Sequence, residues 1–221
     1  LYNRMDDNRD SQVYHANQLI ADATIFQSNF SFNSNKDMGM KINKPYAVIG
    51  NAVDSSIFYK DKNRNTNKKI QIISTSFSPN IKKGFNVYKF LDEQLNFDLF
   101  DYTFVGKSPI EFKNIKNAGI KNSNEISNLL RSSDIYITAS ENDPCSNSLI
   151  EAVSCGACCY ALNSGGHPEI LNNDNLLFDD APSILSILNN IEKNVIPSYD
   201  TNTPSMKEIT DQYVNFFSDV R

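Results

Sequence analysis

Two acids in this chain stand at a spacing that could do chemistry. Asp143 and Glu151, separated by seven residues, lie in the run Ser140–Gly156, SENDPCSNSLIEAVSCG. A short apolar run, Asp134–Thr138 (DIYIT), precedes them, and a helical pattern, Ser148–Cys155, follows and stops at Gly156. Glycine is the usual residue just past a helix end. The pattern predicts one carboxylate in the loop after a strand and the other about one turn into the next helix. The start of that helix would direct free backbone N–H groups into the same crevice, where the helix dipole also favours a phosphate. Glu151 could then accept hydrogen bonds from a ribose diol. Plainer readings fit the same residues. Ser148 to Glu151 has the form of a capping box, and Asp143 before Pro144 could be a solvated turn residue.

Two further segments carry candidate groups. In Ser164–Ile170 (SGGHPEI), Gly165 and Gly166 would let backbone approach a ligand closely, and Pro168 suits the first turn of a helix. A simple strand-to-helix turn would use the same residues, and His167 could be catalytic or merely line a pocket. In Ser74–Gly84 (STSFSPNIKKG), a lysine at the strand-to-helix junction could pair with a diphosphate and stabilise a departing charge. Lys82 and Lys83 could equally be solvated surface charges.

The elements that must hold these groups alternate along the chain. Strands are expected at Lys69–Thr75, Asp101–Val105, Asp134–Thr138, Ala157–Leu162 and Asn175–Phe178. Helices are expected at Gly84–Leu95, Glu125–Arg131, Ser148–Cys155 and Ile184–Ile191. Such alternation predicts an α/β fold, a Rossmann-like doubly wound parallel sheet with helices on both faces. Ligands of such sheets sit at the carboxyl ends of the strands, where all three segments fall. Before residue 62 the text differs: helix Asp10–Ala21, strand Ala23–Gln27, a helix capped by Ser28 and running to about Met38, and strand Tyr46–Ile49. The polar stretch Asp61–Lys69 reads as a linker. Met206–Val220 reads as a last helix, beyond a break at Pro197 and Pro204.

Bulk properties set outer limits. The 221 residues are 40% apolar and 21% charged, with a net charge of -5. That composition suits a globular protein, and the acidic balance argues against nucleic acid as a partner. No apolar run approaches the roughly 18 residues of a membrane span. Cys145, Cys155, Cys158 and Cys159 are expected to be reduced core thiols, consistent with a cytoplasmic setting. His15 and His167 add too few ligands at suitable spacing for a structural zinc site. The chain opens on Leu1 rather than Met, and further upstream sequence is expected.

Five segments in order, ADATIFQSNFS (Ala21–Ser31), VIGNAVDSSIF (Val48–Phe58), ISTSFSPNIKKG (Ile73–Gly84), Asp134–Tyr160 and GGHPEI (Gly165–Ile170), resemble the retaining glycosyltransferases of the two-domain GT-B architecture, family 4. The resemblance implies three parts. Residues 1–62 would be a remnant of an N-terminal acceptor domain with its linker, itself a second Rossmann-like domain. Residues 63–203 would be the nucleotide-sugar donor-binding domain and 204–221 a C-terminal crossover helix. It implies transfer of a sugar from a nucleoside-diphosphate sugar to an acceptor hydroxyl with retention, in polysaccharide or glycolipid synthesis. No cofactor and no obligatory metal are implied.

By the same resemblance, Asp143 lies near the donor sugar, Glu151 holds the ribose, and Lys83 contacts the diphosphate. The backbone around Ser146, Asn147, Ser148 and Leu149 faces that diphosphate, and Gly165 and Gly166 flank the pocket. The acceptor would be a carbohydrate or a lipid-linked molecule. The implied place is the cytoplasm, with any peripheral contact to the inner membrane face made through the N-terminal domain. The chain departs from the family at Phe77, where an Arg is common, and at Asp143, where Glu is usual. With the acceptor domain incomplete, this stretch alone is expected to be inactive. A non-catalytic nucleotide-sugar-binding fragment and a nucleotide-sugar epimerase of the same architecture are the alternatives.

Overall fold

The computed structural model describes residues 15, 17–42, 45–61, 68–191, 196 and 203–220. Of the helix expected over Asp10–Ala21, residues 10–14 and 16 lie outside the described residues, while 15 and 17–20 are helical. Most of the expected linker, 62–67, and the break at Pro197 also lie outside them.

Six parallel strands form the main sheet: β3 (Ile70–Ser76), β4 (Phe100–Gly106), β5 (Lys116–Asn117), β6 (Ile135–Thr138), β7 (Cys158–Leu162) and β8 (Leu177–Phe178). Their spatial order is β5-β4-β3-β6-β7-β8. The chain therefore builds outward from β3 to one edge, then returns to the other side of β3 and builds to the opposite edge. That is the dinucleotide-fold order, with its reversal between β3 and β6. Right-handed crossovers then place helices on both faces. α2 (Phe85–Gln94) packs with α6 (Ala181–Asn189), and α3 (Ser123–Ser132) with α4 (Asn147–Ser154). The short α5 (His167–Leu171) follows β7. Strands buried on both faces read as continuous apolar runs, and Ile72, Ile73, Ile135, Tyr136 and Ile137 are all in the core.

Several boundaries differ from the sequence expectation for identifiable reasons. α6 begins three residues earlier than expected because Asp180 caps it, accepting from the Ser183 N–H at 2.8 Å, and Pro182 sits in its first turn. The expected strand Asn175–Phe178 is only two residues long; Asp174–Leu176 instead makes a tight 3₁₀ turn, capped by the Asn173 side chain. Strand β5 was not expected at all. Its two residues are exposed and polar, so neither alternation nor an apolar run marks it. The segment leading into it is anchored by buried Asp92, whose carboxylate accepts from the N–H groups of Lys113, Asn114 and Ile115 at 2.7–2.8 Å.

A smaller unit precedes the sheet. β1 (Thr24–Phe26), α1 (Asn29–Asp37) and β2 (Tyr46–Val48) form a βαβ unit whose two strands pair in parallel. Phe26, Phe32 and Tyr46 cluster, with ring centroids 5.0–6.4 Å apart. The unit docks on the main domain through Glu169 of α5, whose carboxylate accepts from Asn29 N and Phe30 N at 2.8 and 2.7 Å. These are first-turn N–H groups of α1, where a negative charge is favoured. The connecting segment is held by Arg131, which donates to Ile57 O at 3.0 Å and covers the Tyr59 ring at 4.3 Å. α7 (Met206–Asp219) ends the described chain.

The two loops flanking the reversal touch at Gly84. Its φ is +94°, and a Cβ there would lie 2.4 Å from Ala139 Cβ and 2.8 Å from the Ala139 carbonyl. Gly84→Ala must therefore both strain the backbone and push the two loops apart. It is expected to lower the unfolding free energy by about 1–3 kcal/mol, measured by urea titration; wild-type stability would refute the close approach.

Candidate active site

The reversal between β3 and β6 opens a crevice at the strand ends, and the loops after these strands form its walls. After β3, Asn80 caps a 3₁₀ turn, Ile81–Lys83, accepting from Lys82 N at 3.0 Å. After β6, Glu141 N donates to Lys82 O at 2.8 Å, tying the walls together. Between them is a cleft of about 250 Å³, lined on one side by Ser76, Phe77 and Lys83 and on the other by Ser140, Asp143 and Ser146–Ser148.

Lys83 and Asp143 meet in this cleft. Lys83 Nζ lies 3.0 Å from Asp143 Oδ2. Asp143 is placed by its backbone. Asn142, in the left-handed region at φ 53°, donates its N–H to Ser164 Oγ at 2.9 Å, and Gly166 N donates to Asp143 O at 2.8 Å. Gly165 and Gly166 serve this contact. A Cβ on Gly165 would lie 2.4 Å from Asp143 O, and one on Gly166 would lie 2.3 Å from Pro144 O. The paired glycines thus admit protein backbone, and they stand behind the cleft rather than in its lining.

The N-terminus of α4 faces the cleft. Its N-cap is Ser146, whose side chain makes no capping bond. The first amide of the helix with an intrahelical acceptor is Ile150, bonded to Ser146 O. The N–H groups of Asn147, Ser148 and Leu149 are thus the open end of the helix. Leu149 offers only its backbone, since its side chain is fully buried in the core. The floor is a polar network. The Tyr136 hydroxyl, on β6, hydrogen-bonds Thr75 at 3.2 Å, and Ser74 joins Tyr102 at 2.7 Å and Ile137 O at 2.6 Å. Ser140 Oγ is buried in the lining and has no partner among the described residues.

Glu151 behaves differently from the expected capping box. Because Ser146, not Ser148, begins the helix, Glu151 has no cap amide to bind, and its carboxylate takes no hydrogen bond among the described residues. Burial alone pushes its pKa up to about 7. It lies one turn beyond the cleft and outside its lining. His167 is also outside the lining. It is fully buried, its Nδ1 pairs with Leu162 O at 2.9 Å, and burial lowers its pKa, so the ring is neutral.

Cys155, Cys158 and Cys159 are core residues, and Cys145 lines the cleft. No cysteine among the described residues is in a disulfide, and no group of three or more His, Cys, Asp or Glu there could hold a metal ion. No helix of the described residues is long and apolar enough to cross a membrane. Ser140 and the tyrosine floor carried no motif and were not singled out in the sequence. The alternating small polar residues at the ends of β3 and β6 were the available signal.

Comparison with known proteins extends this geometry. Residues 110–195 match the family described as Glycosyl transferases group 1. The match contains Asp143, the α4 N-terminus and Glu151, while Lys83 lies before it. No curated protein sequence matches the chain. Among solved structures, the chain is similar to sucrose-phosphate synthase from Thermosynechococcus elongatus, with TM-score 0.79 and 14% identity, covering 97% of this chain and 62% of that one. It is also similar to Anabaena HepE in complex with UDP-glucose, with TM-score 0.77 and 16% identity over 95% of this chain and 67% of that one. A glycosyltransferase from Rickettsia africae gives 0.75 and 18%, over 100% and 68%. The chain thus spans 62% of the synthase's length. At these identities the likeness is one of fold. The main sheet has the Rossmann-like fold of the C-terminal domain of GT-B glycosyltransferases, and residues 110–195 are similar to the Glycosyl transferases group 1 family.

Proposed function

We propose that the protein is the donor-binding part of a retaining glycosyltransferase of family 4. It would move a sugar from a nucleoside-diphosphate sugar to an acceptor hydroxyl of a carbohydrate or lipid-linked molecule, in polysaccharide or glycolipid synthesis. The observation that carries this reading is Lys83 and Asp143 meeting at the open N-terminus of α4. A cation and three backbone N–H groups with no intrahelical acceptor meet at one small cleft, which suits a diphosphate. HepE, which shares the fold, is described in complex with UDP-glucose.

In this reading the diphosphate lies between Lys83 Nζ and the N–H groups of Asn147, Ser148 and Leu149. The sugar points toward Asp143, and the ribose diol donates to Glu151. As the acceptor oxygen bonds to the anomeric carbon, the anomeric C–O bond breaks, its electron pair passes to the departing phosphate oxygen, and the acceptor hydroxyl's proton passes to that phosphate. Lys83 and the helix end stabilise that charge, and no metal or cofactor is assigned to the step. Residues 1–62 then belong to the acceptor domain and its linker, 63–203 to the donor domain and 204–221 to the crossover helix. The reaction is assigned to the cytoplasm, with any membrane contact at its inner face. A second reading, nucleotide-sugar binding without catalysis, is favoured by the cleft's single cation, because exposed Phe77 occupies the neighbouring position.

Calorimetry with UDP, GDP and ADP is expected to detect binding of at least one, and Lys83→Ala to weaken it about tenfold or more. Folded protein that binds none of the three would overturn the proposal. Glu151→Ala is expected to cost more than about 1 kcal/mol of nucleotide affinity; unchanged affinity would remove Glu151 from the site.

The raised pKa of Glu151 adds a pH test. Near pH 7 about half of the empty protein carries this proton. Ribose hydroxyls donating to the carboxylate favour its charged form, so binding lowers the pKa and releases a proton. Affinity should therefore rise as pH increases through about 7 and then level off. Binding heats at pH 7 should differ between buffers of different ionisation enthalpy, and Glu151→Gln should reduce the difference to the part contributed by the nucleotide's own terminal phosphate. Equal heats in the wild type would contradict the assignment.

A further inference from the structure

Resting on the donor-site reading above, we propose that Asp143 discriminates the intact sugar conjugate from the spent nucleoside diphosphate. Lys83 and Asp143 are the two charged side chains in the cleft lining, and they neutralise one another at 3.0 Å. Both are largely withdrawn from solvent, at 32% and 15% side-chain exposure, so the pair is less screened than one on the open surface. The remaining lining groups are uncharged. Hydroxyls of Ser140, Ser146 and Ser148, the Asn147 amide, the Phe77 ring and the Cys145 thiol surround the pair. Burial pushes the Cys145 thiol up, which keeps it neutral.

A diphosphate that reaches Lys83 competes with Asp143 for its charge, and what the carboxylate then faces depends on the ligand. The intact conjugate brings sugar hydroxyls, which are donors that a carboxylate accepts from. The spent nucleotide brings instead a terminal phosphate with added negative charge and no donor, facing a carboxylate that must share its cation. Like charges confined together are destabilising. Asp143 thus favours the conjugate and helps expel the product, without any movement of the loop. Its position is held by backbone contacts to Ser164 and Gly166, so the side chain can be changed without releasing the loop.

The test compares Asp143→Asn and Asp143→Ala with the wild type, each checked for cooperative unfolding. The probes are whichever of UDP, GDP or ADP the wild type binds, and the glucose conjugate of that nucleotide. Both variants are expected to bind the bare diphosphate about threefold or more tighter than the wild type at low salt, with no matching gain for the conjugate. The asparagine variant alone could gain from a new amide-to-phosphate bond, which the alanine variant excludes. Diphosphate affinity that is unchanged or weaker in both variants, or an equal gain for the conjugate, would overturn the inference while leaving the donor-site reading intact. Failure of the wild type to bind any nucleotide would overturn both.

Discussion

The close approach of Gly84 to Ala139 is the constraint on which the rest of the site depends. The strand-order reversal sends the chain to opposite faces after β3 and β6, and such loops diverge by default. Here they are drawn together because one backbone carries no Cβ and takes a left-handed φ. The bond from Glu141 N to Lys82 O then fixes their relative height. Lys83 follows immediately on one wall and Asp143 on the other, so the ion pair is a product of main-chain geometry. The glycines at 165 and 166 repeat the device on the outer side, where backbone packs against backbone behind Asp143. Three glycines thus set the width and position of a cleft whose chemistry is carried by other residues.

Much of this was legible in the sequence wherever a single physical cause dominates a segment. The strands Ile70–Ser76 and Ile135–Thr138 are marked in the sequence by their isoleucines, which pack into the core. Gly156 ends α4 as its position suggests. Lys83, Asp143 and the start of α4 were placed at strand ends by the α/β alternation alone, and all three line the cleft. What the sequence could not carry were choices between near-equal local partners. Ser146 and Ser148 are both residue types that favour an N-cap, and the helix begins after Ser146. Glu151 is therefore half-buried, with no hydrogen-bond partner among the described residues, rather than engaged in its own helix. The paired glycines read as a ligand cradle; in the structure they pack closely on the loop at Asp143, and Gly166 also lines an adjoining cavity of about 220 Å³. Strand β5 rests on Asp92, a contact some twenty residues away that no local pattern reports.

The electrostatic character of the cleft is spare. One cation, one acid, a helix end and a ring of hydroxyls do the work that a more basic site would divide among several charges. A helix end contributes partial charge that is fixed in direction and needs no side-chain ordering. Below it, Tyr136 holds Thr75 at the end of β3, and the Ser146 and Ser148 hydroxyls pair at the helix terminus. Phe77 then shapes the lip of the cleft without adding charge.

The carboxylate of Glu169 gives the small βαβ unit a mechanical role. It sits three residues after Gly166, whose amide holds the loop at Asp143, and it satisfies the opening amides of α1. Pulling the unit away would strip those amides of their partner, a cost that favours moving α1 and α5 as one piece. Any swivel of that unit is thereby geared to the wall of the cleft, as a lever is to its fulcrum.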